Sequence, residues 1–196
     1  MNTPDRFKSE SIMMPIEAES AYGSSLSGLS AFASTAGINL PQSNNNRSLE
    51  ALKRIESYQF FSKYILPNIK PQDLIAAKGW NINTNEIIYD KKKFIKEKNY
   101  WVTKKTPLKT EIPSSQDAYS EYMKILNLSH DKKTSFITIS IEHYSPYIAK
   151  EWLDLIINQI DIQMKTIDRK KALESIKDYE ERLANTSLSE VKKILF

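Results

Sequence analysis

One stretch constrains the fold more than any other, residues 136–184, FITISIEHYSPYIAKEWLDLIINQIDIQMKTIDRKKALESIKDYEERLA. It opens with Ile137, Ile139 and Ile141 alternating with Thr138, Ser140 and Glu142, which is the period of a half-buried strand. Ser145-Pro146 then changes the rule. Serine caps a helix, and proline suits the first helical position because the amide it lacks has no partner there. No glycine or proline follows Pro146 in the whole chain. Ile148, Trp152, Leu155, Ile156, Ile160 and Ile167 recur at helical spacing, and Leu173, Ile176 and Leu183 are read as continuing the same stripe. An unbroken helix to Ala184 is about 58 Å long at 1.5 Å per residue. Two readings follow: an ordinary core helix with a frayed end, or a helix that leaves its domain and packs against a neighbour.

The chain has 196 residues, enough for one domain with an extension or for two small ones. Its hydrophobic content of 40% and charged content of 27% are those of a foldable, water-compatible protein. The net charge of +4 is too small to imply nucleic acid, and none is expected as a partner. The positive charge is local. Residues 90–109 hold eight lysines against Asp90 and Glu97, a net of +6, so the remainder sums to −2. Cysteine is absent, which excludes thiol chemistry, disulfides and cysteine-ligated metal, and fits either the cytoplasm or an oxidising periplasm. No apolar run approaches the roughly 20 residues of a membrane span, and MNTPDRFKSE lacks the apolar core of a signal peptide.

From the N-terminus, residues 6–14 read as a short strand stopped by Pro15. Residues 17–37 carry three of the four glycines among many Ser and Ala, and are expected to be ordered mainly by a neighbouring subunit or a membrane. Residues 47–65 read as one helix ended by Pro67, followed by a helical turn or two within 73–78. Trp80 is read as opening a polar loop through Asn81, Asn83 and Asn85, and 86–89 and 100–103 as short strands or exposed loop. Ser114 or Ser115 caps a helix over about 116–126, and His130-Asp131 turns the chain into the central strand. Ser187 with Glu190 fits a capping box, placing a helix break near 185–187 and a new helix, cut short, after it. The order predicts an α+β fold: a small mixed-sheet base over residues 1–145 and a long protruding helix over 146–196.

Little here resembles catalytic chemistry. No glycine loop matches a phosphate or dinucleotide fingerprint. Ser145 lacks the flanking glycines of a nucleophile elbow and reads as a helix cap. His143 shares the parity of the strand isoleucines and reads as a partly buried strand-end residue, His130 as a turn residue. No catalytic residue, metal or cofactor is expected, and replacing both histidines is expected to leave function nearly intact. The lysine-rich segment, with Phe94, Tyr100 and Trp101 interleaved, reads first as a solvated loop and second as a surface for anionic polymer or membrane phosphate.

Four passages carry a family resemblance: FKSESIMMP; SLSGLSAFASTAGINL with the helix SLEALKRIESYQFFSKYI; DKKTSFITISIEHYSPYIAKEWLDLIINQID; and YEERLANTSLSEVKKILF. Together they resemble the periplasmic part of a Wzz-type polysaccharide chain length determinant, a polysaccharide co-polymerase. The resemblance implies a bacterial inner-membrane protein whose periplasmic α/β base carries a long helix and assembles as a homo-oligomer. It implies control of the modal length of O antigen, enterobacterial common antigen or capsule made by a Wzy-type polymerase, with the nascent polysaccharide as a further partner, and no enzymatic role. Flanking membrane helices, a returning helix and a last base strand belong to such proteins, so the sequence is expected to be a piece of a longer chain. Trp152, Ile156, Ile160, Ile167, Leu173 and Ile176 are the expected structural and oligomerisation residues. The alternative is the periplasmic domain of a capsule or exopolysaccharide export system of the tyrosine-kinase type. A third reading, an unrelated coiled-coil domain, predicts no base sheet.

Overall fold

The computed structural model describes residues 5–13, 45–102, 112–134 and 136–185, and over these the fold is α+β. The expectations for 17–37 and for a helix restarting after 187 lie outside the described residues.

Strand β7 (Ile137–His143) is the middle of a three-stranded sheet, flanked by β1 (Phe7–Met13) and β6 (Leu126–His130). Both pairings are antiparallel, with Ile139 opposite Ser11 on one side and Leu128 on the other. The sheet is therefore antiparallel throughout, where the sequence reading expects a mixed one. A short connection such as the β6–β7 turn permits only antiparallel pairing. That turn is built by Asp131, whose Oδ1 accepts from Lys133 N at 2.8 Å and whose Oδ2 accepts from Thr134 Oγ1 at 2.8 Å. These bonds, the Lys133 amide first, hold the Asp131 carboxyl below its ordinary range. The existence of this sheet removes the coiled-coil-only reading.

The expected single helix over 47–65 is interrupted. α1 (Asn45–Glu56) stops at Ser57, which has extended backbone and restarts the helix as α2 (Tyr58–Phe60). The Ser57 hydroxyl does both jobs, donating to Arg54 O at 2.7 Å and accepting from Phe60 N at 3.2 Å. A wide π-type turn (Phe61–Ile65) and a 3₁₀ turn (Leu66–Asn68) follow, so Pro67 lies inside the last turn rather than after it. This layer stacks on α4 (Ser115–Ile125): the Phe61 and Tyr122 rings are 4.7 Å apart, and Tyr119 Oη donates to Glu56 O at 2.5 Å. Ser114 caps α4 in a full capping box with Asp117.

Between these elements in the chain, α3 (Pro71–Ile75) leads into two hairpins. β2 (Ala77–Asn81) pairs with β3 (Glu86–Tyr89), and β4 (Phe94–Ile95) with β5 (Tyr100–Trp101). Trp80 therefore sits within a strand, and the asparagines after it form the hairpin turn. Asn81 Oδ1 accepts from Asn83 N at 2.9 Å, and Asn85 adopts φ 53, the left-handed region that asparagine tolerates.

From Pro146 a single helix, α5 (Pro146–Asn185), runs 40 residues. The chain forms two compact units, residues 1–157 and 158–196. The division falls inside α5, where the sequence reading puts it at 145/146, because the first three turns of α5 bury Ala149, Trp152, Leu153 and Ile156. Among the described residues no helix is long and apolar enough to cross a membrane.

Candidate functional site

The richest polar cluster lies where β7 passes into α5. His143 is buried at the strand end, as its parity requires. Its Nε2 donates to Asp73 O at 3.0 Å and its Nδ1 accepts from Ser145 N at 3.0 Å. The Ser145 amide has only a lone pair to point at, so the ring is neutral with its proton on Nε2. Burial keeps the imidazole below its ordinary pKa. The Trp152 ring lies 5.0 Å from the imidazole and is 4% exposed. One turn of α3 is tied in as well, since the Asp73 carboxyl accepts a short hydrogen bond from Tyr89 Oη. Burial first, and then this bond, push the Tyr89 phenol far above its ordinary range.

This arrangement fastens a strand, two helices and a hairpin together. It does not activate a nucleophile. Ser145 Oγ is oriented towards Ile148 N, 3.5 Å away, in the helix-capping role, and the His143 nitrogens are both engaged by backbone groups. The capping role read from Ser145-Pro146 is what the geometry displays. The structure adds a folding role for His143 to the strand-end reading. Removing its ring leaves a buried carbonyl and a buried amide unpaired, so its replacement acts on folding.

Two open clefts lie nearby. One, of about 150 Å³, is lined by Arg6, Lys93 and Lys124 and by Asp73, Glu121 and Glu142, so neither sign of charge dominates. The other, of about 340 Å³, lies between Pro67–Lys70 and the Ile148–Trp152 turn. Among the described residues no group of three His, Asp or Glu side chains is placed to hold a metal ion.

The six residues expected to serve structure and assembly separate into two sets. Trp152, Ile156 and Ile160 are buried and Ile167 is half-buried, whereas Leu173 is 57% and Ile176 52% exposed. At 3.6 residues per turn, Ile156, Ile160 and Ile167 fall on one face and Leu173 and Ile176 on the roughly opposite one, together with exposed Ile162 and half-buried Leu155. The single stripe read from the sequence is thus two faces. Counting apolar residues at helical spacing hid this, because the six-residue step from Ile167 to Leu173 carries the row well around the helix. Half-buried Leu155 and exposed Ile162, outside the expected set, were findable by following the angle.

No family model matches this sequence, and no curated protein matches it significantly.

Proposed function

We propose that the chain is the periplasmic part of a Wzz-type chain length determinant. In this reading it sits at a bacterial inner membrane and regulates the modal length of a surface polysaccharide made by a Wzy-type polymerase, acting as a homo-oligomeric scaffold rather than as an enzyme. The observation that carries the reading is the second apolar face of α5. Ile162, Leu173 and Ile176 remain exposed on a 40-residue helix that follows the central strand of the sheet in the chain. Apolar residues spaced along the outer length of a charged helix fit burial against another helix, with flanking charges such as Arg169, Lys170 and Glu174 setting register.

The test uses cells carrying the full-length protein with Ile176→Glu. A charge forced into a packed helix seam weakens assembly by several kcal/mol, on the order of the cost of burying an unpaired charge. The glycan is still polymerised, but its length distribution shifts or broadens on a gel. Unchanged assembly together with an unchanged modal length would sink the proposal.

A further inference from the structure

Residues 90–102, the described part of the lysine-rich segment, form an ordered hairpin and not the solvated loop read from the sequence. Asp90 starts it, its carbonyl accepting from Lys93 N at 2.8 Å and from Phe94 N at 2.9 Å. Val102 N closes it by donating to Lys93 O at 2.8 Å, and Asn99 makes the tip with φ 46. Phe94, 3% exposed, pins it down against the Tyr89 and Trp101 rings at 5.3 and 5.0 Å. Side chains alternate across a hairpin, so with Phe94 and Trp101 inward the other face carries Ile95, Tyr100 and Val102. Tyr100 is 46% exposed, and Val102 is exposed too. Lys91 and Lys92 lie in the turn before β4, Lys98 in the turn before β5. All three are exposed and have no acidic partner among the described residues, whereas Lys96 is paired with Glu86 at 2.8 Å and Lys93 Nζ donates to Ile75 O at 2.9 Å.

We infer that this hairpin is a docking surface for an anionic phospholipid membrane. Unpaired cations at both ends of a small exposed face of tyrosine and aliphatic side chains match the two layers of a bilayer interface. The lysines meet headgroup phosphates, and Tyr100 and Val102 meet the boundary beneath them. A soluble polyanion uses the cations but offers nothing for Val102. The inference stands apart from the chain-length reading, since membrane contact through this hairpin is measured without any glycan.

The test is co-sedimentation of the 196-residue chain with vesicles of phosphatidylcholine, with and without phosphatidylglycerol. Binding is expected only with phosphatidylglycerol and only at low salt, disappearing as the Debye length falls towards about 3 Å. Each surface lysine contributes about fivefold, so Lys91→Gln/Lys92→Gln/Lys98→Gln lowers partitioning by about 100-fold. Tyr100→Ser lowers it less, by several-fold. The charge-matched variant Lys70→Gln/Lys132→Gln/Lys133→Gln retains most of the binding. Circular dichroism of each variant checks that the fold persists. The inference is overturned if the wild-type chain ignores anionic vesicles at low salt, or if both triple variants lose binding equally. It also fails if dextran sulfate binds as tightly as the vesicles and Tyr100→Ser changes nothing, because the partner is then a soluble polyanion.

Discussion

The first three turns of α5 and its stretch beyond Met164 have the same backbone and opposite energetics. In the first, Trp152, Leu153 and Ile156 are buried, each side chain contributing about 1.5–3 kcal/mol by leaving water. In the second, Leu173 and Ile176 are exposed, and the visible support is a few ion pairs. Asp161–Lys165 at 2.7 Å has the favourable order of acid before base. Lys170–Glu174 and Lys177–Glu181, both at 3.7 Å, have the reverse. Such exposed pairs add about 0.3–0.5 kcal/mol each, and the Thr166 and Ser175 hydroxyls donate back to Ile162 O and Lys171 O, which slightly weakens a helix. The difference teaches that helical length and helical stability are separate quantities in this chain. The near part is held by the fold; the far part has little of its own and an apolar face to offer.

The comparison breaks most visibly at Trp152. Trp152→Ala is expected to cost about 3–5 kcal/mol in urea denaturation of the isolated chain, as for other buried aromatics. A change near zero would place the tryptophan outside the core. His143 comes next. Replacing it with Phe strands Asp73 O and Ser145 N, at about 1–3 kcal/mol for each unpaired group. Its pH signature is separable. The unfolded chain protonates near 6.5, the folded ring only at lower pH, so the stability tied to His143 is fully present above about 6.5 and is lost as pH falls towards the folded pKa. His143→Phe should flatten that slope in a series of melts across this range.

A smaller effect is expected at the start of α4. Ser114→Ala removes the hydroxyl that caps Asp117 N at 3.1 Å and should cost about 1 kcal/mol by denaturation. The smallest is Ile176→Ala, expected within about 0.5 kcal/mol for an exposed site in the isolated chain. It sharpens the contrast with Trp152, since both residues lie on one helix. A large loss at Ile176 in a verified monomer would mean that the far part is packed within its own chain.

What the sequence made legible was local. The β7 alternation, the Ser145-Pro146 start and the Ser114 cap each depend on neighbours within four residues, and each is found where it was expected. The pairing of β1 with β7 joins residues more than 120 positions apart, so nothing near Phe7 announces its partner. β6 carried a signal in Leu126 and Leu128, but Leu126 was read as the end of the preceding helix and His130 as the turn, which hid the alternation between them. The 80–102 region was obscured by asparagine and lysine, which favour turns by composition while Trp80 and Phe94 hold strands between them. The polar joint was half visible. His143 and Ser145 showed themselves by parity and by the following proline, whereas Asp73 and Tyr89 reach it through tertiary contacts alone.

Amide hydrogen exchange along α5 in the monomeric chain tests the account most directly, because it reads the local opening free energy turn by turn. Slow exchange is predicted through Ala149–Met164, close to the global unfolding limit, with a steep rise past Thr166 and fast exchange around Leu173 and Ile176. In an assembled full-length protein the far turns should slow as well. Uniform protection from Ala149 to Ile176 in a verified monomer would contradict the division of the helix into a part that serves the fold and a part that awaits a partner.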